Sequence, residues 1–300
     1  MRKVLKWVGI TLGSLLVIIV LAVVVLSSLG KSKAASGADV AVKTPAIPAD
    51  SAAVARGMHI ARTIAPCAGC HGARLEGQAF GTPAVLVSMS APNLTRGRGG
   101  VGTTYTAEDW DRAIRHGVAR DGRRLIIMPS EAYSHMSDAD FSALVAYLTS
   151  IPAVDGTHAP RKVGLLGGTL IGAGAFPLAT ANIQHDRVGV DAPQPAPNAQ
   201  FGEYLATLAT CSECHGASLA GQKGGNGPPP GPSLIAHAGT WTVDGFRQTL
   251  RTGTTPDGRK LDGGLMPWPY YANMTDTEVD AIWAYIRSVA AKAPASKTDD

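Results

Sequence analysis

Cysteine is scarce in this 300-residue chain, which has four. All four fall in two pentapeptides, CAGCH at Cys67 to His71 and CSECH at Cys211 to His215. No second C-x-x-C and no H-x-H pair lies near either one, so a structural zinc site would lack its four ligands. A thioredoxin-type site needs a preceding strand and a following helix, and it does not call for histidine at the next position. Charge is also thin: charged residues make up 17%, against about 25% in an average soluble domain. The net charge of +4 comes without a long basic cluster, which gives no footing for a nucleic-acid partner. Glycine-rich stretches such as Gly97 to Gly102 lack a strand–turn–helix context, so nothing supports a nucleotide, flavin or hydrolytic site.

What is present is a repeated C-x-x-C-H, the attachment signature of a c-type haem. Two cysteines three apart lie on one short helical turn, so both sulfurs reach the vinyl edges of one porphyrin. The next residue, His71 or His215, then projects its imidazole toward the iron. Two motifs imply two covalent haem c groups, held by Cys67, Cys70 and His71 and by Cys211, Cys214 and His215. The 35 glycines and 20 prolines suit loop-rich domains wrapped around such a group.

Val4 to Leu29 is apolar apart from Lys6, and Trp7 to Leu26 carries no charge. About 20 apolar residues span a bilayer as a helix. Arg2, Lys3 and Lys6 precede the run and assign the amino terminus to the cytoplasm. The run is longer than the apolar stretch of a signal peptide, about 7–15 residues, and no A-x-A site follows it closely. The expectation is an uncleaved anchor over residues 1–29.

The remainder contains an internal repeat. DWDRAIRHGVARDGRRL (Asp109 to Leu125) reads against GFRQTLRTGTTPDGRKL (Gly245 to Leu261), and Met128 to Leu148 against Met266 to Ile286. Ser137 with Asp140, and Thr275 with Glu278, form capping boxes that open a closing helix in each copy. Phe141, Leu144, Val145 and Leu148 repeat at helical spacing, as do Val279, Ile282, Trp283 and Ile286. The first helix of each copy runs into its C-x-x-C-H and carries Gly57 or Gly202, which would let the closing helix approach near Tyr147 or Tyr285.

A haem iron in an electron carrier takes a second axial group, and methionine paired with histidine is the usual cytochrome c set. His59, His116, His135 and His237 have no histidine counterpart in the other copy and read as surface or locally hydrogen-bonded residues. Two methionine pairs do repeat. Met136 and Met274 precede the helix caps and fit hydrophobic staples. Met128 and Met266 sit in loops, each followed by proline (Pro129, Pro267), which fixes the backbone; these are the candidate sixth ligands.

With these motifs, the chain resembles a membrane-anchored dihaem cytochrome c built from two class I cytochrome c domains. The stretch PNLT (Pro92 to Thr95), with DWDRAIRHGVARDGRRL and the Met-Pro that follows, is similar to cytochrome subunits of bacterial alcohol and sugar dehydrogenases. Those subunits carry three haem motifs; this chain has two. The resemblance implies a mostly α fold, with His71 and His215 as proximal ligands and Met128 and Met266 as distal ones. It covers domain 1 (51–152) and domain 2 (199–291); the apolar run gives the anchor (1–29) and an Ala-, Ser-, Lys- and Pro-rich stretch a flexible linker (30–50), leaving an interdomain segment (153–198) and a tail (292–300). It also implies attachment to the bacterial cytoplasmic membrane as a single-pass protein, with both haem domains on the periplasmic side. The apolar Val163 to Leu178 is short for a second span and is expected to pack between or against the domains. Gly224 to Pro232 reads as a rigid loop after the second motif.

Three functions compete. The first is single-electron transfer between membrane or periplasmic redox proteins. The second is the same chemistry as a subunit of a respiratory dehydrogenase or oxidase complex. The third is a dihaem enzyme, such as a peroxidase or thiosulfate dehydrogenase, which requires an open iron position that paired Met-Pro loops would not leave.

Overall fold

The computed structural model describes residues 1–37, 40–42, 44–80, 82–157, 159–187, 189, 191–222 and 229–293. Most of the Gly224 to Pro232 loop and of the tail lies outside the described residues. The fold is mostly α. Along the chain run α1 (Arg2–Ala35), α2 (Ser51–His59), α3 (Ala68–His71), α4 (Ala107–Ile114), α5 (Ser130–Tyr133), α6 (Asp138–Ser150) and α7 (Leu165–Gly172). They are followed by α8 (Ala199–Leu208), α9 (Cys211–His215), α10 (Leu234–His237), α11 (Val243–Thr252), α12 (Trp268–Tyr271) and α13 (Asp276–Lys292). Four two-residue strands, β1 (Gln78–Ala79), β2 (Val87–Ser88), β3 (Ser90–Ala91) and β4 (Lys162–Val163), pair antiparallel as β1 with β3 and β2 with β4. The chain divides into two compact units.

The first unit comprises Met1–Lys43, Cys70–Glu131 and Pro152–His185. Helix α1 is 34 residues long, about 50 Å at 1.5 Å per residue. Among the described residues it is the one helix long and apolar enough to cross a membrane. The residues it buries are Ser27, Gly30 and Ala34, and they face α7. A side chain at Gly30 would stand 1.9 Å from the Gly168 carbonyl oxygen, and one at Gly172 2.1 Å from that of Leu26. Small residues on both helices thus let the backbones touch, as in membrane helix pairs. The apolar middle segment therefore packs on α1, a partner no local pattern specifies. The first six residues of the expected linker are helical, and Ala34 joins a core cluster with Val87, Ile126, Ile171 and Leu178. Arg161 donates to the carbonyls of Ala34 (2.9 Å) and Arg124 (2.6 Å), capping the end of α1 with positive charge.

His116, one of the histidines expected at the surface or in local bonds, is buried in this unit. Its Nδ1 lies 2.8 Å from Nδ1 of His185. Burial lowers its pKa from the ordinary 6.5 to about 4, assisted by His185 and Arg115 and opposed by Asp111. Between those values the unfolded chain binds the extra proton and the folded chain does not. This contribution to stability is therefore complete above about pH 6.5 and drains away as pH falls toward 4. The thermal midpoint should fall over that window, and His116→Gln should flatten the dependence; an equal slope in the variant would refute the assignment.

The second unit comprises Thr44–Gly69, Ala132–Ile151 and Asp186–Asp300. Its core is two matching helix pairs, α2 on α6 and α8 on α13. Each opening helix has a side-chain cap, Asp50 accepting from Ala53 N–H and Asn198 from Phe201 N–H. Gly57 and Gly202 are the contact points. A Cβ on either would stand 1.9 Å from a backbone carbonyl oxygen, that of Ala143 or Ala281. Tyr147 borders Gly57 as expected, whereas the atoms nearest Gly202 belong to Ala281 and Ile282 rather than Tyr285. The first copy has one residue more between its glycine and its first cysteine. A π-helical turn at Ile60–Ile64 absorbs it.

The two pairs are joined by a reciprocal polar clasp. His59 of α2 bonds to Glu278 of α13 at 2.9 Å, and Tyr204 of α8 donates to Asp140 of α6 at 2.7 Å. His59 and Tyr204 each lie two residues beyond the contact glycine, and Asp140 and Glu278 are the same capping position. The contact is thus nearly self-complementary, as across a two-fold axis. Arg56 holds Asp140 through two bonds (2.8 and 2.9 Å) and reaches Glu278 at 3.5 Å. Burial opposes charge on Glu278, but the His59 and Thr275 hydrogen bonds outweigh it and lower its pKa. The clasp alters one expected cap. Thr275 and Glu278 form a complete capping box. Asp140 instead turns its carboxylate to Arg56 and Tyr204, and the Tyr204 hydroxyl accepts the Ser137 N–H in its place (3.2 Å).

Candidate functional site: two equivalent histidine–cysteine cradles

The two C-x-x-C-H motifs are built alike. Cys70 and His71 lie on α3 with Cys67 just before it; Cys211, Cys214 and His215 lie on α9. None of the four cysteines is in a disulfide. Burial raises the pKa of Cys70, Cys211 and Cys214, so these thiols stay protonated near neutral pH. His71 and His215 are buried. Nδ1 of His71 lies 2.8 Å from the Pro92 carbonyl oxygen, and Nδ1 of His215 2.7 Å from that of Pro232. A carbonyl can only accept, so Nδ1 carries the proton and Nε2 keeps its lone pair for a metal. Burial lowers both imidazole pKa values, with the proline bond in opposition, which keeps the rings neutral.

The turn after each histidine is the same. Gly77 N–H bonds to His71 O and Gly221 N–H to His215 O (2.7 and 2.8 Å). Leu75 and Leu219 adopt positive φ (62° and 56°), an uncommon state for a branched side chain. Each carries matched bonds: its N–H goes to Gly72 or Gly216, and its carbonyl accepts from Leu94 or Leu234. Those last bonds bring Pro92 and Pro232, two residues earlier, onto the imidazoles. The signal is in the sequence beyond the C-x-x-C-H motif, as HGARLEGQ against HGASLAGQ and P-N-L against P-S-L. At the described end of the Gly224 to Pro232 loop, Gly231 runs across the ring of His215. A Cβ there would sit 2.8 Å from Nδ1.

The methionines divide into two settings. Met136 and Met274 are fully buried in front of their helix caps. Met128 and Met266 are half-buried in loops. Around the following proline, Ser130 N–H bonds to Met128 O (2.8 Å) and Trp268 N–H to Met266 O (2.7 Å). This is a γ-turn pattern centred on proline, with Pro267 at φ −77°, ψ 44°. Trp268 then packs on Gly253, and Tyr271 donates to the carbonyl of Ala209, two residues before Cys211. Tyr270 lies against Gly69, inside the first motif, where a Cβ would stand 3.6 Å from its hydroxyl.

The cytochrome c family model matches residues 54–152 and 199–290, which is more than half of the chain. The chain belongs to the cytochrome c family. This cytochrome c is 29% identical over 273 residues to the fructose dehydrogenase cytochrome subunit of Gluconobacter japonicus, covering 82% of this chain and 54% of that one. It is 29% identical over 286 residues to the alcohol dehydrogenase (quinone) cytochrome c subunit of Gluconacetobacter polyoxogenes, covering 82% and 58%. A dihaem cytochrome c-type protein of Cereibacter sphaeroides is 26% identical over 253 residues, covering 75% and 82%. This cytochrome c thus spans little more than half the length of the two dehydrogenase subunits. The family implies covalent haem c, and each cradle has the donors for it: two thiols and an imidazole whose Nε2 is free.

Proposed function

We propose that this cytochrome c carries two haem c groups, one in each of the domains over residues 51–152 and 199–291, and moves single electrons between redox proteins at the bacterial cytoplasmic membrane. The observation that carries the reading is the duplicated cradle, with each histidine fixed through Nδ1 by a proline carbonyl. Cys67 and Cys70, and Cys211 and Cys214, would hold the porphyrins by thioethers. His71 with Met128, and His215 with Met266, would ligate the irons. Haem supplies an iron that accepts and releases one electron; the chain's share is ligation, burial and spacing. The dehydrogenase-subunit relatives support a role as the electron-accepting arm of a dehydrogenase complex. The small-residue seam between α1 and α7 supports a retained anchor over a cleaved leader, and Arg2, Lys3 and Lys6 before the apolar run support haem domains on the periplasmic side.

Purified protein should hold two haems per chain that resist denaturation. Met128→Ala or Met266→Ala should lower the potential of one haem by on the order of 0.1 V or more, within the ~0.8 V range that axial ligands span, and open it to carbon monoxide. Unchanged spectra in both variants would remove the ligand assignment. Rapid peroxide turnover by the unaltered protein would instead favour a dihaem enzyme.

A further inference from the structure

We infer that α7 and the turn at Pro83 to Val87 lie in the outer interface of the lipid bilayer, so that the first unit rests on the membrane. This rests on the reading of α1 as a retained bilayer anchor. From Trp7, the charge-free run reaches Leu26, about 30 Å at 1.5 Å per residue, the thickness of the hydrocarbon core. Helix α7 meets α1 at that outer end. Thr169 Oγ1 donates to the carbonyl of Val23 (3.4 Å), and Gly172 sits against Leu26. A helix touching α1 at Val23 to Gly30 therefore stands at the level where acyl chains give way to headgroups.

Its surface suits that depth. Leu165 and Leu166 are 51% and 45% exposed, and Val85 is 53% exposed. Leu166 N–H bonds to the carbonyl of Val85 (3.0 Å), which makes the three one patch. The segments that form this region, 23–37, 82–91 and 159–180, contain no aspartate or glutamate and include Lys31, Lys33 and Lys162. Exposed leucines beside lysines, with no acidic residue, are the pattern of an interfacial helix on anionic lipid. Lipid is the occupant because the patch continues the apolar surface of α1 at the same height.

The test uses the full two-haem chain in phosphatidylcholine–phosphatidylglycerol vesicles containing a lipid with a photoactivated carbene precursor in its acyl chain. Peptide mapping should find adducts in α1 and in residues 82–91 and 159–172. The double variant Leu165→Glu, Leu166→Glu should reduce adducts in 82–91 and 159–172 by about five-fold or more, since charge is disfavoured at that depth, and leave those in α1 and the haem spectrum unchanged. Adducts confined to α1 would overturn the inference while sparing the anchor. An absence of adducts in α1 would overturn the anchor itself. Chain-to-chain cross-links through 159–172 would assign the patch to a second copy instead, and undiminished labelling in the double variant would show that these leucines are not the inserted groups.

Discussion

Gly202→Val should prevent accumulation of protein with two haems. Its Cβ would stand 1.9 Å from the carbonyl oxygen of Ala281, 2.4 Å from the carbonyl carbon and 2.9 Å from the nitrogen of Ile282. All three are backbone atoms, so no rotamer change relieves the clash; α8 and α13 must part. Overpacking commonly costs about 1–3 kcal/mol, and more where the surroundings cannot yield. Separation would also open the core that Leu205, Val279, Ile282 and Ile286 share. Gly57→Val should do the same through the carbonyl of Ala143. The check is haem content per chain by absorbance after export, with Gly9→Ala and Gly13→Ala as controls, since nothing lies within 4 Å of those positions. Normal yield of two-haem Gly202→Val would show that the helices are not in backbone contact.

Arg115→Ala should cost about 3–5 kcal/mol, the range for leaving one member of a buried ion pair without its partner. Arg115 and Asp111 are 1% and 0% exposed, and two bonds join them, at 2.6 and 2.9 Å. Removing the guanidinium takes two short bonds from a carboxylate held away from water, with His116 Nε2 4.0 Å from it, whereas Asp111→Ala with Arg115→Ala should recover part of the loss. The repeat supplies a control. Arg251 occupies the same sequence position but is 28% exposed, and it bonds to Asp276 and to the carbonyl of Ala272. Arg251→Ala should cost about 1 kcal/mol or less, as exposed pairs do. Denaturant titration read at the haem band separates the two; equal losses would refute the argument from burial.

The contrast between these arginines marks where the sequence stops being informative. The Cys-x-x-Cys-His motifs, the repeated Met-Pro and the closing-helix caps are local patterns, legible within a few residues. The apolar run of α1 is legible for the same reason. The fate of Arg115 and Arg251 depends on what covers them, and spacing does not encode that. Asp140 is the clearest case. Its position defines a capping residue, yet its carboxylate answers to Arg56 and Tyr204, 84 and 64 residues away. The partner of α7 was hidden likewise, because glycine and alanine show where a close approach is possible but not to what. Pro92 and Pro232 were different: they stood in a visible repeat and needed only the alignment to be carried past the histidines.

Arg161 donates to the Ala34 carbonyl at the end of α1, and Ala34 itself is sunk among core side chains. Held in a bilayer as proposed, α1 would be a stalk without slack rather than a leash. A body mounted this way would not tumble; it would drift in the plane of the sheet it is rooted in and keep one side toward its neighbours. His71 and the Pro92 carbonyl that fixes it belong to the same compact unit. A redox partner sharing the sheet would meet it in a restricted set of poses, which trades breadth of search for repeatable encounters.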